Sequence, residues 1–533
     1  MSSGPVSPGA LRELLLGTQE LALLDVRETR WFHGAHLNLA RNAPLSTLEL
    51  QIDALVPRRE TPMVLYDDAD APDGAAAHAA ALLGRLGYRK VQRLAGGLEA
   101  WAAQGLPVID GYNTLVKAFG DLARQHYRTP VLPLAELEAR QRDGRSTTVI
   151  DARPRGEYAF LSIVGARNYP GTELVLRRFA VDDPDHVWAI NCFSRTRGII
   201  GTTTLRLLGH ADAAFVEDGV MAWGLRGAPV VQNAQPVDDI PAESPEQLRK
   251  LADGLVSRYG LRVVDAEGLV RLRDDGERTL YVFDVRPPAS PPANGVRQVA
   301  GGQLLMHFEN LVGTRNARIV LIDDAHRLRA AVTAFWLTQL NQAEVHVLAS
   351  ELPASWAGAS TVPRDAADAP APLDVDALAR LLDGGKADVV DVGPSIDYEA
   401  GHLPGARFLL PSSLAALEAL LTPDRTVVFT SPDGAAARLA ARDARQRWPQ
   451  AAFAWLAGGT QAWLASARVV EAAYQPQQLL TPFDDDWGSV MRVFGPRRDK
   501  VWADYLAWER GLSARVAEDP TVRFSFFDQT VSA

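Results

Sequence analysis

One order of short motifs occurs four times along this chain, and no other feature of the sequence limits the fold as strongly. Each copy contains an apolar strand that ends in aspartate, a turn with glycine, a second apolar strand, a helical stretch and a closing apolar segment. The aspartate-ended strands occupy residues 21–27, 148–153, 280–286 and 387–392. Short strands that alternate with helices predict parallel β-α-β units. We therefore expect four small α/β domains, each a parallel sheet flanked by helices.

Length and composition agree with several folded units of this kind. A chain of 533 residues with 47% hydrophobic residues is too long for one core and has enough apolar side chains for several. The expected domains are residues 1–110, 111–235, 245–360 and 370–475. Segments rich in proline, alanine and aspartate, at 229–246 and 352–372, are expected to join them.

Residues 476–533 belong to no copy of the pattern. Their aromatic residues, with charges between them, predict a C-terminal helical extension packed on the domains and a less regular tail. These aromatic residues are Trp487, Phe494, Trp502, Tyr505 and Trp508.

Charge and cysteine content exclude several classes of protein. The formal net charge of −10 argues against nucleic acid or an acidic membrane surface as the main partner. A single cysteine cannot form an internal disulfide or a thiolate-rich metal site. No basic segment followed by an apolar run opens the chain, and no run of roughly 18 apolar residues occurs in it. We therefore expect a cytoplasmic protein without a metal or organic cofactor.

The single cysteine, Cys192, follows an apolar strand at 187–190 and precedes a helical segment at 198–208. The loop between them directs backbone N–H groups and the positive end of a helix toward one point. Arg195 and Arg197 lie in the same loop. These features predict a thiol with a lowered pKa, which would be a thiolate nucleophile near neutral pH.

The order of the motifs resembles the rhodanese (sulfurtransferase) domain. The matching motifs are a strand ending in Asp-x-Arg, a Gly-His-Leu or Gly-Ala turn, a strand followed by Cys-x-x-x-x-Arg and a helix, and Gly-Gly-x-x-x-Trp. The resemblance covers about 450 residues. It implies a protein of four tandem rhodanese-like domains in which only the second keeps the catalytic cysteine.

The residue that follows the central strand differs between the copies. Asp67, Asp323 and Ser431 stand where the second copy has Cys192. A carboxylate repels an anionic donor and cannot carry sulfur, so domains one, three and four are predicted to be inactive. They are expected to bury each other's apolar surface. One of them, with domain one as first candidate, is expected to form a wall of the Cys192 pocket; binding of a separate protein through the acidic loops is a further alternative.

The resemblance implies a two-step reaction at Cys192. The cysteine would attack the outer sulfur of a donor, become a persulfide and pass the sulfur to cyanide, sulfite or a thiol. The N–H donors would come from Phe193, Ser194, Arg195, Thr196, Arg197 and Gly198. Arg195 and Arg197 suit an anionic donor such as thiosulfate.

Loop length and composition separate this reaction from related chemistries. The related phosphatases have one more residue in the loop than Cys-x-x-x-x-Arg, so sulfur transfer is favoured over an arsenate reductase or phosphatase. Relatives that use mercaptopyruvate carry a smaller, less basic loop, from which Phe193 and Arg195 depart; this donor stays open. The other hypothesis is a persulfide relay or binding scaffold that receives sulfur from a partner protein.

Other residues of the second copy are expected to support the loop. Asp151 and Arg153 have equivalents in copies predicted to be inactive, which favours a buried structural pair over a direct role in the pocket. Glu157 and Asn191 are further candidate supporting groups. The tryptophans Trp101, Trp223 and Trp463 recur at one place and are expected in the core. No histidine lies in the Cys192 segment before His210, which argues against a Cys–His hydrolase.

Overall fold

The computed structural model describes residues 4–288, 290, 293, 295–353, 356, 368–486 and 488–528. Trp487 and most of the predicted linker at 352–372 lie outside these residues. Within the described ranges, four parallel sheets follow one another along the chain, each flanked by helices. The predicted α/β class is therefore confirmed. None of the described helices is both long and apolar enough to cross a bilayer.

The first sheet has the strand order β2-β1-β3-β4. Its strands are β1 (Ala22–Asp25), β2 (Arg41–Asn42), β3 (Met63–Tyr66) and β4 (Val91–Arg93). Its helices are α1 (Pro8–Leu16), α2 (Thr29–Gly34), α3 (Leu48–Leu55), α4 (Ala75–Arg85) and α5 (Gly97–Ala103). Val6 adds a single parallel bridge to Leu94 beyond β4, where the other sheets have a fifth strand.

The second sheet, which contains the cysteine strand, has the order β5-β10-β9-β6-β8. Its strands are β5 (Val131–Leu132), β6 (Thr147–Asp151), β8 (Arg167–Asn168), β9 (Val187–Asn191) and β10 (Ala213–Val216), while β7 (Ser162–Ile163) and β11 (Val230–Val231) form a separate antiparallel pair. Its helices are α6 (Thr114–His126), α7 (Leu134–Arg142), α8 (Arg155–Phe160), α9 (Thr196–Leu207) and α10 (Gly219–Leu225), with a 3₁₀ helix at Gly171–Leu176.

The third sheet has the order β12-β16-β15-β13-β14, which repeats that of the second. Its strands are β12 (Arg262–Val264), β13 (Leu280–Asp284), β14 (Arg297–Gln298), β15 (Ala317–Ile322) and β16 (Ala343–Leu348). Its helices are α11 (Pro245–Tyr259), α12 (Ala266–Asp274), α13 (Gly301–Met306), α14 (Phe308–Leu311) and α15 (Leu328–Leu340).

The fourth sheet again has this order, as β17-β21-β20-β18-β19. Its strands are β17 (Pro372–Leu373), β18 (Ala387–Asp391), β19 (Arg407–Phe408), β20 (Thr426–Thr430) and β21 (Ala452–Leu456). Its helices are α16 (Val375–Asp383), α17 (Ser395–Ala400), α18 (Ala435–Arg447) and α19 (Gly459–Ala465), with a 3₁₀ segment at Pro411–Leu420. In all four sheets the central strand lies between the aspartate-ended strand and the closing strand.

The third domain packs against both the first and the second. The Tyr281 hydroxyl donates to the carbonyl oxygen of Leu55 at 2.6 Å, which joins domain three to domain one. The Arg329 guanidinium forms an ion pair with Glu173 at 2.6 Å, which joins domain three to domain two. One buried apolar cluster runs from domain one through α6 into domain three. Domains one, two and three therefore bury each other's apolar surface, as expected, whereas the apolar clusters of domain four contain only residues between 373 and 483.

The C-terminal extension continues after 3₁₀ turns at Pro476–Gln478, Val490–Arg492 and Gly495–Arg497 as α20 (Arg498–Ala517). Helix α20 packs on α6 and α10. Trp502 is fully buried there, and its indole N–H donates to the carbonyl oxygen of Val490 at 2.9 Å. The following residues form an irregular tail in which Ser525 N–H donates to the carbonyl oxygen of Gln339 at 2.8 Å. The predicted helical extension is confirmed.

Candidate active site

Cys192 directly follows β9, at the end of the sheet where α9 begins. Helix α9 starts at Thr196, two residues before the predicted start, so Thr196, Arg197 and Gly198 form its first turn. The N–H of Gly198 lies near enough to the thiol to favour its ionised form. Cys192 is only 2% exposed. The single cysteine therefore lies against the N-terminus of a helix, where backbone N–H groups favour a negative charge.

The loop after Cys192 is held by the start of α10. The N–H of Val220 donates to the carbonyl oxygen of Cys192 at 2.9 Å, and the N–H of Met221 donates to that of Phe193 at 2.9 Å. Gly219 has a φ of +62°, and a Cβ there would lie 2.2 Å from the Cys192 carbonyl oxygen. Only glycine fits this approach. Sequence reasoning missed Gly219, although the recurring Gly-Gly or Asp-Gly element was its signal.

The equivalent residues of the other domains contact the same part of the following helix. Asp67 accepts a hydrogen bond from the N–H of Ala76 at 2.9 Å, and Asp323 accepts one from the N–H of Ala330 at 3.1 Å. Ser431 accepts one from Ala437 at 3.3 Å. In domains one and three the side-chain carboxylate thus takes the position that an anionic group would need.

Burial determines the ionisation of Cys192. Burial raises the pKa of the thiol above its ordinary value, while Arg197, the Gly198 N–H and Arg153 act to lower it and Glu509 adds to the increase. The prediction of a lowered pKa is therefore wrong for this protein. The physical reason is that a thiolate at 2% exposure loses its hydration, and the nearby cation and N–H group do not fully compensate.

Arg197 and Glu157 form a two-pronged ion pair beside Cys192. The guanidinium donates to the two carboxylate oxygens at 2.6 and 2.7 Å. Burial opposes ionisation of Glu157, but the charge and hydrogen bonds of Arg197 hold the pKa of its carboxyl below the usual value. Both side chains line the cavity around the thiol. Arg197 therefore presents a fixed positive charge to Cys192.

Arg195 pairs with two carboxylates and is not among the described residues that line the Cys192 cavity. Its guanidinium lies 2.5 Å from Asp121 on α6 and 2.7 Å from Asp218. The same carboxylates bind α20, because Arg510 pairs with Asp218 and the Ser513 hydroxyl donates to Asp121 at 2.9 Å. This corrects the expectation that Arg195 would bind an anionic donor: its charge is used to join the loop to α6 and α20.

Asp151 and Arg153 form a fully buried pair under the loop. Their closest atoms lie 2.6 Å apart, and Arg153 also donates to the carbonyl oxygen of Leu161 at 2.5 Å. The equivalent pairs in domains one and three have the same 2.6 Å separation. Asn191 cross-links the sheet by donating to the carbonyl oxygen of Ile150 at 3.1 Å. These contacts are structural.

The remaining loop residues divide between the extension and the cavity. The Phe193 ring meets the Trp502 ring edge-on, with the centroids 5.6 Å apart. Ser194 and Thr196 line the cavity beside the thiol. Gly198 has no room for a side chain, because a Cβ there would lie 2.8 Å from the Phe215 ring.

A cavity of about 230 Å³ opens over Cys192. Its other walls come from outside the Cys192 loop. These residues are Tyr112, Asn113 and Lys117 before and on α6, Met306 and His307 of domain three, and Asp486, Ser489, Met491, Tyr505 and Glu509 of the extension. Among described residues, the lining includes none from 4–110. The expectation that domain one forms a wall is therefore wrong: domain three and the extension form it, because both pack directly on the cysteine domain.

Two buried ionisable side chains, Lys117 and Glu509, line the cavity. The Lys117 ammonium donates to the carbonyl oxygen of Tyr112 at 2.8 Å and lies 3.3 Å from the centroid of the Tyr112 ring. Burial lowers the pKa of Lys117 to about 7. Burial raises the pKa of Glu509, against the effect of Lys117. Sequence reasoning missed both residues, since neither lies in a repeated motif.

A cluster in domain three has the residue types of a metal site. Asp323, Asp324 and His326 have possible ligand atoms within 4.8 Å of one another. Arg329 lies 3.1 Å from Asp323 and 2.9 Å from Asp324. The guanidinium already supplies the positive charge that these carboxylates need, so the cluster is an ion-pair network.

Comparisons with known proteins agree with this architecture. The model of the Rhodanese-like domain family matches residues 7–104, 133–226 and 374–466, more than half of the chain. A crystal structure of a thiosulfate sulfurtransferase from Pseudomonas aeruginosa is 34% identical, covers 98% of this chain and 100% of that chain, and superposes with a TM-score of 0.90. An uncharacterized protein of Bacillus subtilis strain 168, YqhL, is 33% identical over 92 residues, which are 17% of this chain and 69% of its own length.

The third domain lies outside the family matches, yet its sheet has the same strand order as the second and fourth. All four sheets thus share one architecture. The matched segments, the repeated topology and the full-length structural neighbour lead to one conclusion: the chain belongs to the rhodanese-like domain family.

Proposed function

We propose that this protein is a sulfurtransferase that carries a sulfane sulfur on Cys192. One observation supports this proposal above the others: the chain's single thiol lies against the N-terminus of α9 in a small cavity with Arg197 and Lys117. The similarity to a thiosulfate sulfurtransferase over 98% of the chain also supports it. The proposed reaction needs no metal or organic cofactor, because the sulfur is held covalently.

The proposed reaction has two half-reactions. In the first, the Cys192 thiolate attacks the outer sulfur of thiosulfate. A new sulfur–sulfur bond forms, the bond to the sulfite sulfur breaks, and sulfite leaves with the electron pair. In the second, cyanide, sulfite or a thiol attacks the terminal sulfur of the persulfide, and Cys192 leaves as a thiolate. Because the enzyme alternates between two covalent states, ping-pong kinetics are expected.

Anionic donors are favoured by the charges near the thiol. Arg197 and Lys117 line the cavity, and the helix N-terminus adds N–H donors that suit an oxyanion. A volume of about 230 Å³ suits a small molecule such as thiosulfate. The structural neighbour's name indicates the same donor. Arg195 does not contribute to this preference, since its guanidinium is paired with Asp121 and Asp218.

Burial of the thiol favours a small donor over a partner protein. Cys192 is 2% exposed and lies below walls from domain three and the extension. A cysteine on a folded partner would have to enter this enclosed space. The persulfide-relay alternative therefore requires a rearrangement of the walls that the small-molecule reaction does not.

The proposal is tested by Cys192→Ser. Serine has the same shape but a far weaker nucleophile, so transfer of sulfur from thiosulfate to cyanide should fall to the rate without enzyme. A matched control is Ser257→Ala, at an exposed position of α11 outside the cavity; it should retain turnover. Transfer by Cys192→Ser at the wild-type rate contradicts the proposal. Sulfur gain by Cys192 only in the presence of a partner protein would support the relay instead.

A further inference from the structure

The extension places one carboxylate in the Cys192 cavity that the proposed reaction has not yet used. Glu509 lies on α20, outside the four repeats, and is 4% exposed. Ser194 is close enough to lower the pKa of this carboxyl, yet among the described residues neither oxygen accepts a hydrogen bond of good geometry. A buried carboxylate without such bonds lowers the stability of the folded protein. Because this carboxylate lies in the cavity that contains the nucleophile, we consider a chemical role for it.

Lys117 supplies the compensating charge. It lies on α6, is 4% exposed and is held by the Tyr112 carbonyl oxygen at 2.8 Å. The aromatic rings of Tyr112, Tyr505 and Trp508 surround its ammonium, with centroids 3.3, 5.3 and 5.0 Å away. Aromatic faces stabilise a cation that has lost water. Lys117 is therefore held between the rings and lines the same cavity as Glu509, and its ammonium form carries the compensating charge.

The position of Glu509 is fixed by contacts on both sides of it. Trp502 packs edge-on against Phe193, one residue after the cysteine. Arg510, directly after Glu509, pairs with Asp218, which also binds Arg195. The helix that carries Glu509 is thus attached to the loop that carries the thiol.

Other titratable groups of the cavity are less suited to take a proton from the thiol. Glu157 is held by two hydrogen bonds from Arg197, and its pKa is lowered. Burial lowers the pKa of His307, which makes it a weak base. Asp486 is only partly buried. The tyrosines Tyr112 and Tyr505 have raised pKa values because of burial and stay protonated.

We propose that Glu509 accepts the thiol proton of Cys192 when the nucleophile forms, and that the ammonium form of Lys117 stabilises the negative charge in both states. This inference rests on the proposed function. Before transfer the cavity holds a carboxylate and a thiol; after transfer it holds a carboxylic acid and a thiolate. The net charge of the buried cavity does not change, so no additional charge has to be desolvated.

The proton returns in the second half-reaction. When the acceptor removes the terminal sulfur, Cys192 leaves as a thiolate, and the carboxylic acid of Glu509 gives the proton back. Each turnover therefore ends with the same charges as it began. Burial raises the pKa of the thiol, so a base is needed to form the thiolate. Glu509 can serve as this base because it lines the same cavity.

The test uses the full chain as wild type, Glu509→Gln, Glu509→Asp and, as a matched control, Glu518→Gln. Glu518 is an exposed residue just after α20, so its variant makes the same chemical change outside the cavity. Two rates are measured from about pH 6 to pH 9: persulfide formation with thiosulfate in a single turnover, and alkylation of Cys192 by iodoacetamide. Loss of a general base typically slows a reaction by roughly 10²- to 10⁴-fold.

We expect Glu509→Gln to slow persulfide formation by about 10²-fold or more near pH 7, and less at high pH, where hydroxide can remove the proton. Its alkylation profile should shift to higher pH. Glu509→Asp should recover part of both rates, because it keeps a carboxylate. Glu518→Gln should behave as wild type. A merely structural role would lower stability but leave the pH profile of the folded fraction unchanged.

Equal profiles for Glu509→Gln and Glu518→Gln overturn the inference, as do equally slow rates for Glu509→Gln and Glu509→Asp. Failure of the proposed function has a different signature: wild type then forms no persulfide from thiosulfate, whereas alkylation still reports whether Glu509 controls the thiol proton.

Discussion

Replacement of Gly219 by alanine should displace the catalytic loop without touching the cysteine. An added Cβ would lie 2.2 Å from the Cys192 carbonyl oxygen and 2.8 Å from that of Ser194. An ordinary contact is longer than 3.0 Å, so the Cys192 carbonyl must move by about 1 Å. A displacement of about 1 Å in a reacting group can cost roughly 100-fold in rate. We expect a loss of this size in kcat/KM for sulfur transfer from thiosulfate to cyanide.

Gly227→Ala is the matched control for this prediction. Gly227 has a φ of +73°, close to the +62° of Gly219, but a Cβ there meets no atom within 4 Å. Both variants therefore carry the strain of alanine in the left-handed region, about 1–2 kcal/mol, and only Gly219→Ala adds the steric conflict. The rate of Gly227→Ala should stay within about twofold of wild type. Equal activity of the two folded variants would refute the reasoning.

Three further predictions concern stability. Arg195→Met should lower the free energy of unfolding, measured by urea titration, by about 3 kcal/mol, because it removes a buried cation from two carboxylates. The control Arg226→Met, at an exposed ion pair, should have no measurable effect on this free energy. Trp502→Ala should lower the free energy of unfolding by about 3–5 kcal/mol and reduce activity, since it removes the ring that packs α20 against the loop. The control is Trp31→Ala, because Trp31 is 54% exposed. Burial raises the pKa of Asp391 to about 7, above its unfolded value of 3.8. The contribution of this carboxyl to the free energy of unfolding is therefore greatest at low pH and is lost as the pH rises toward 7. In urea titrations from about pH 4 to 7, Asp391→Asn should remove a decline of roughly 4 kcal/mol, and an unchanged slope contradicts this assignment.

Local patterns in the sequence were sufficient to predict the repeated architecture. The strand predicted at 187–190 is β9 (Val187–Asn191), and the helix predicted at 198–208 is α9 (Thr196–Leu207). Apolar spacing reports them directly, because it reflects which face of an element is buried. The Asp-x-Arg motif is equally local, since Asp151 and Arg153 bond each other across two residues. In domain four Gly393 stands in place of this arginine, and burial raises the pKa of the neighbouring Asp391 carboxyl.

The cavity could not be predicted in the same way, because it is formed by residues far apart in the chain. Arg195 meets Asp121, and Glu509 lines the Cys192 cavity from the extension, with no local pattern to indicate either arrangement. His307 comes from domain three, which the repeat alone could not distinguish from domain one as the neighbour. The pKa of Cys192 follows from its burial, which depends on all of these walls.

The most direct test of the account is the intact mass of the protein after incubation with thiosulfate alone. We predict a gain of one sulfur atom, located on the peptide that contains Cys192 and removed by cyanide with formation of thiocyanate. Cys192→Ser should gain nothing under the same conditions. An unchanged wild-type mass, or an equal gain by the serine variant, would contradict the claim that Cys192 carries the transferred sulfur.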